Sequence, residues 1–208
     1  MPRVLLAIVM SLGLQIAPAA ADPPGADPID VPAGIYSLDA GRSELQATIG
    51  YVGDLARAHL SFTRLTGRFG YAPGAWDQSR VAIEVEAASV TSGMRPLDGS
   101  VRRTLDVARY PVIRFVSDRL VPTGPQTAEL GGQLTLHGVT RPVALKIVVR
   151  AADDGADGDP ARVRFSGVGR IRRSAFGVPP PAPFTRDEID LRFDVEFVRV
   201  AAAQPPAT

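Results

Sequence analysis

The sequence predicts an all-β fold, an antiparallel barrel or sandwich of about eight to ten strands. Three observations lead there. Polar and apolar residues alternate in stretch after stretch, and a period of two puts successive side chains on opposite faces of a strand. Turn signals built from Gly, Pro and Asp recur every ~8–12 residues between those stretches. No helix-period segment is set between strands in the βαβ rhythm of a parallel sheet. The 208 residues, 45% of them hydrophobic, suffice for one domain with its own core. No internal repeat of fixed period is present.

The clearest element is 131–149, GGQLTLHGVTRPVALKIVV, read as a β-hairpin. Leu134 and Leu136 share one face. His137-Gly138-Val139-Thr140-Arg141 make the turn, with Gly138 free to take a positive φ. Pro142 opens the return strand, where a missing N–H is tolerated. Val143, Leu145, Ile147 and Val149 then repeat at period two, with Lys146 on the other face.

In chain order, 22–33 is rich in Pro, Asp and Ala and reads as a disordered lead-in, so the folded domain is expected over 34–200. A short strand at 35–38 and a turn at Asp39-Ala40-Gly41 lead into 43–52, where Leu45, Ala47, Ile49 and Tyr51 share a face. Gly53-Asp54 breaks that strand. Strands at 58–63 and 66–71 follow, anchored by Leu60, Phe62, Leu65 and Phe69. Over 80–87, Val81, Ile83 and Val85 point one way and Glu84 and Glu86 the other. The pattern breaks at 89–110, where Asp98 is placed to cap a short helix over 99–105. Strands resume at 112–120 with Ile113 and Phe115. The acidic, Gly-rich stretch 153–159 is a loop tip. In the strand 162–172, Val163 and Phe165 share a face, and Gly167 and Gly169 suggest a bulge or bend. The proline-rich 178–183 excludes helix and inner strand. Ile189, Leu191, Phe193, Val195 and Phe197 mark one face of a last long strand, 188–200, and 201–208 is a disordered tail.

The N-terminus reads as a signal peptide, residues 1–21. Arg3 is the only charge before Asp22, and 4–14 is an apolar run too short to span a bilayer. Ala17-Pro18-Ala19-Ala20-Ala21 supplies small residues for cleavage; the alternative is an uncleaved anchor. Without Arg3, basic and acidic residues balance at 22 each, which gives no basic face for nucleic acid. There are no cysteines, so no disulfide framework supports the fold. An exported, periplasmic protein held by its core is the expectation.

Several phrases, in this order, resemble the YceI-like family, the lipocalin-like polyisoprenoid-binding proteins of the bacterial envelope. They are Tyr36-Ser37-Leu38-Asp39 with Ser43 just after; Leu65-Thr66-Gly67-Arg68-Phe69; Val81 through Ala88-Ser89-Val90; Val107-Ala108-Arg109-Tyr110-Pro111 running to Ser117; Gly132 to Val143; and Arg173-Ser174-Ala175-Phe176-Gly177. Two departures stand out. The family often carries a histidine where this chain reads ATIGYV at 47–52, and a longer segment with paired aromatics where it reads Arg102-Arg103-Thr104-Leu105-Asp106. The resemblance implies an extended antiparallel lipocalin-like β-barrel of about eight strands with one short helix across one side. It also implies a deep apolar pore for an isoprenoid lipid or other amphiphile, such as a quinone or prenyl phosphate, no cofactor, and a homodimer as a common state. A soluble barrel can carry such a chain without chemistry, since each buried CH₂ contributes roughly 0.8 kcal/mol.

On that basis Leu45, Ile49, Ile83, Val85, Phe115, Leu145, Ile147, Phe165, Leu191 and Phe193 are expected to line a pocket. Alternation alone does not separate a lined pocket from a filled core, since both read identically. Arg95 and Asp98 are the candidates to meet a polar head group, Arg95 by bidentate contact to a phosphate. His59 and His137, the only histidines, supply too few ligands for a metal and have no G-x-S-x-G serine to serve. Asp153, Asp154, Asp157 and Asp159 lack the order of a calcium loop. Three functions follow: a lipid-binding barrel without catalytic residues, an outer-membrane β-barrel, or an envelope hydrolase with an unrecognised site.

Overall fold

The structure is a computed structural model. It describes residues 31–51, 56–72, 74–75, 78–153 and 160–200, the side chains at 151 and 152 excepted. The leader, most of the lead-in, the Gly53-Asp54 break, most of the acidic tip and the tail lie outside the described residues.

Among the described residues the period-two runs form eleven strands: β1 (Gly34–Leu38), β2 (Glu44–Tyr51), β3 (Ala56–Phe62), β4 (Leu65–Tyr71), β5 (Arg80–Glu86), β6 (Val90–Thr91), β7 (Val112–Gly124), β8 (Thr127–Leu136), β9 (Val139–Asp153), β10 (Arg162–Arg172) and β11 (Thr185–Arg199). A helix, α1 (Arg95–Thr104), separates β6 from β7. All pairings are antiparallel, and the strands reduce to eight staves because three staves are broken. β1 and β2 share one edge of β11, β3 and β4 are interrupted at Thr63-Arg64, and β5 passes through a 3-10 turn at Ala87–Ser89 into β6. The staves follow one another in chain order, and β1 pairs with both β4 and β11, which closes the barrel. The first break is stitched to the neighbouring stave. Asp39 N donates to Glu196 O at 2.9 Å, and Glu196 N donates to Ser43 Oγ at 3.1 Å.

The hairpin turn is tighter than expected. His137 (φ 51°) and Gly138 (φ 75°) alone make it, both in the left-handed region, and Val139 to Arg141 already belong to β9. Two positive φ values in a two-residue loop match the right-handed twist of the flanking strands. Counted outward from that turn, Pro142 opposite Gln133 falls in a non-hydrogen-bonded pair. Its missing N–H faces the β10 side, where pairing reaches only to Leu145. Proline is thereby tolerated inside the strand, and not only at its start.

Two further corrections concern residues singled out in the sequence. The helix starts at Arg95, four residues before the expected 99, with Met94 at its N-cap and Pro96 in the first turn. Proline is preset for that position, whose N–H has no helical partner. Asp98 is therefore inside the helix and not its cap. Gly167 and Gly169 mark no bulge: they keep register with Phe193 and Leu191, and the irregularity lies at Arg164/Phe165 on the β9 side.

The two faces of the wall differ in kind. Outward positions pair charges across strands, Arg170 with Asp190 at 2.7 Å and Arg162 with Glu196 at 3.0 Å. Inward positions are apolar. At the end holding β1, five rings pack together: Phe69 lies 5.4–6.0 Å from Tyr36, Tyr71, Phe165 and Phe197. Val31, which the sequence assigns to the lead-in, is already buried there, and Tyr36 OH donates to Pro32 O at 2.5 Å.

Candidate functional site

Inside the barrel, above the ring cluster, lies an empty space in which the centre of a water-sized group can occupy about 220 Å³. The ten residues named for a pocket on the strength of the resemblance border this space: Leu45, Ile49, Ile83, Val85, Phe115, Leu145, Ile147, Phe165, Leu191 and Phe193. Six of these, Leu45, Ile83, Phe115, Leu145, Leu191 and Phe193, point inward yet are only partly buried. Their free surface forms the wall of a lumen, so the barrel is lined and not filled.

The lumen has a floor and a lid. Phe69, Phe165 and Phe197 of the ring cluster form the floor. The lid is α1, whose Val101 and Thr104 face the space with Leu105 at its C-cap, together with Val178 and Pro181 from the proline-rich segment. Spacings of three and four along a helix put such residues on one side, which is why a ten-residue helix can cover the end. Ser100 Oγ donates to Pro181 O at 3.3 Å and joins the two parts. Arg173 donates to Val178 O at 3.0 Å and to Arg186 O at 3.2 Å, which holds the proline segment.

Among the described residues, few polar side chains reach the lining: Ser79, Arg80, Thr104, Ser117 and Arg173. Ser117 Oγ accepts from Val81 N at 2.8 Å, Arg80 donates to Ser79 O at 2.9 Å, and Arg173 is held as above. A molecule within the lumen meets hydrocarbon almost everywhere.

Arg95 and Asp98 lie outside that wall. Arg95 is exposed at the start of α1. Asp98 is buried, and its carboxylate accepts from Ser92 N and Ser92 Oγ, both at 2.6 Å, and from Thr91 Oγ1 at 3.2 Å. It ties the lid helix to β6, a task shared by Arg102, which donates to Ala88 O and Val90 O at 2.9 and 2.8 Å. The hydrogen bonds from Ser92 hold the Asp98 carboxyl below the ordinary aspartate range, and the bond from Thr91 and the charge of Arg102 act the same way. A carboxyl depressed in the folded state adds stability above its unfolded pKa of ~3.9 that is lost as the pH falls through the lower folded value. Asp98→Asn is therefore expected to lower the urea midpoint at pH 7, with the gap to the parent closing as the pH is taken below about 4. A gap that persists unchanged into acid would assign the loss to packing and not to the charge.

His59 is exposed on β3 with Nδ1 3.1 Å from Thr48 Oγ1, and His137 sits in the hairpin turn with its ring 4.7 Å from Tyr110. Among the described residues no three His, Cys, Asp or Glu side chains come together as a metal site would require. What the alternation could not reveal is the lid, whose lining residues follow helical spacing, and the floor, which depends on rings from β1, β4, β10 and β11 meeting in three dimensions.

An eight-stave antiparallel barrel, charged outside and apolar within, with a helix across one end, defines a lipocalin-like binding barrel. The YceI-like domain family matches the chain over residues 36–197, and the chain belongs to that family. It is 34% identical over 146 residues to a UPF0312 protein of Pseudomonas savastanoi pv. phaseolicola, covering 68% of this chain and 73% of that protein. Among solved structures, the fold is similar to Burkholderia cenocepacia BcnA, with a TM-score of 0.67 and 23% identity over 76% of this chain and 98% of that one. It is also similar to a polyisoprenoid binding domain from Saccharophagus degradans implicated in plant cell wall breakdown, with a TM-score of 0.63 and 16% identity over 79% of this chain and 98% of that one.

Proposed function

We propose that this protein carries or stores an isoprenoid lipid, a quinone or prenyl-phosphate-like molecule, in the periplasm, and that it does so without catalysis. The observation that carries the reading is the unfilled apolar lumen. Water has few hydrogen-bond partners there, and a hydrocarbon chain gains from leaving water. The ten lining residues named above would contact the chain. The polar head would stay at the lid rim, because the lining is almost wholly apolar and its Arg80, Ser117 and Arg173 are bonded to protein partners, which leaves the buried Ser79 Oγ as a lone unpaired hydroxyl among the described residues of the wall. Arg95, exposed at the first turn of α1, would be the cation to meet a phosphate head. The leader read from the sequence supports export. An outer-membrane barrel would turn apolar side chains outward, whereas here Arg162, Arg170, Asp190 and Glu196 line the outer face.

The test is mass spectrometry of an organic extract of the protein, purified natively from the periplasmic fraction. One prenyl lipid in stoichiometric amount is expected. An extract without lipid, together with no uptake of added prenyl quinone, would overturn the proposal.

A further inference from the structure

An inward-facing glycine in a strand costs stability relative to alanine, and an eight-stranded barrel has an interior that ordinary side chains can fill. Yet inward positions of β8 and β10, the two staves that flank β9, include Gly132, Gly167 and Gly169, and each is covered by a large side chain from a neighbouring strand. Phe193 lies directly across from Gly167, and a Cβ there would overlap the tip of its ring, with the two Cε atoms at 2.7 Å. Phe115 reaches diagonally over Gly132, its Cζ 2.6 Å from where a Cβ would stand. Leu145, paired with Gly169, overlaps the same position there. The covering side chains are the partly buried ones whose free faces form the lumen wall.

We propose that these inward glycines set the bore: they let Phe193, Phe115 and Leu145 lie flat along the wall instead of standing across the lumen, and so decide what thickness of chain can enter. Cross-strand rings resting on glycine are a known way to hold a sheet at such positions. The inference rests on the lumen being the binding site and specifies how that site selects a slender chain. Gly132 is a poor place to test it, because a Cβ there would also come within 2.5 Å of the Val116 carbonyl oxygen. At Gly167 the three atoms nearest to an added Cβ all belong to the Phe193 ring. A side chain there is accommodated only if the ring swings inward, toward the empty space.

The experiment compares the full chain with Gly167→Ala, Phe193→Ala and the double variant. The probes are a dansyl-labelled polyprenyl alcohol and xenon, the latter followed by NMR. Gly167→Ala is expected to weaken the prenyl probe by about tenfold or more and to reduce xenon uptake, on the scale of overpacking a closed interior. Removing the ring as well should return both to near the parent value. A folded Gly167→Ala that binds both probes like the parent overturns the proposal. If Gly167→Ala does not fold, the double variant decides: it should fold and bind, and its failure to do so overturns the proposal too. Should the parent itself refuse the prenyl probe, the carrier function fails, while the xenon comparison still reads the bore.

Discussion

Phe69→Ala is expected to lower the free energy of unfolding by about 3–5 kcal/mol, the range for deleting a buried phenylalanine where neighbours collapse only in part. Phe69 is the hub of the floor. It is 5% exposed and its ring lies within 6.0 Å of four others, Tyr36, Tyr71, Phe165 and Phe197. Each such ring pair adds about 0.5–1.5 kcal/mol beyond the area it buries. Those partners come from β1, β4, β10 and β11, including the strands whose pairing closes the barrel. The floor therefore ties the first stave to the last. A domain of this size is stable by only about 5–15 kcal/mol, so the loss should appear as a large fall in the urea midpoint. A fall worth less than about 1 kcal/mol would show that the rings merely fill space and that the backbone ladder alone holds the closure.

The wall was the legible part of this protein, and the ends were not. Alternation in β2, β5, β7, β9, β10 and β11 is a local property of a strand, and it placed Leu45, Ile83, Phe115, Leu145, Phe165 and Phe193 on the inner face without knowledge of their neighbours. The hollow was not legible in that pattern, because it depends on Gly132, Gly167 and Gly169 lying next to the rings and branches of adjoining strands. In one dimension Gly167 and Gly169 look like a bend; across the sheet they are the space into which Phe193 and Leu145 fold. Asp98 was misplaced for a similar reason. Its side chain reaches back to Ser92, and a residue inside a first turn with such a partner resembles a cap when only spacing is read. The register of the tight His137-Gly138 turn followed from two successive residues accepting positive φ, and a histidine gives little warning of that.

Affinity for prenyl alcohols should rise steeply with chain length and then level off at about three to four isoprene units. A single water-sized group needs roughly 10–15 Å³ of such space. The lumen of about 220 Å³ then takes on the order of 15 to 20 chain carbons, by that allowance. Within it, each added atom of a ligand this large contributes about 0.3 kcal/mol net, after ordering and desolvation are counted. Five carbons then amount to about 1.5 kcal/mol, close to tenfold per isoprene unit. Fluorescence titration with alcohols of one to eight units should trace a climb of about three orders of magnitude, followed by gains of less than about twofold per unit once the chain projects past the lid. An affinity still climbing tenfold per unit at eight units would mean that the lumen lengthens on binding, with the lid of α1 and the Pro181 segment moving aside. An affinity indifferent to length from the first unit would place the ligand outside the barrel, because only a chain threaded between Phe115, Leu145 and Phe193 gains contact with every carbon added.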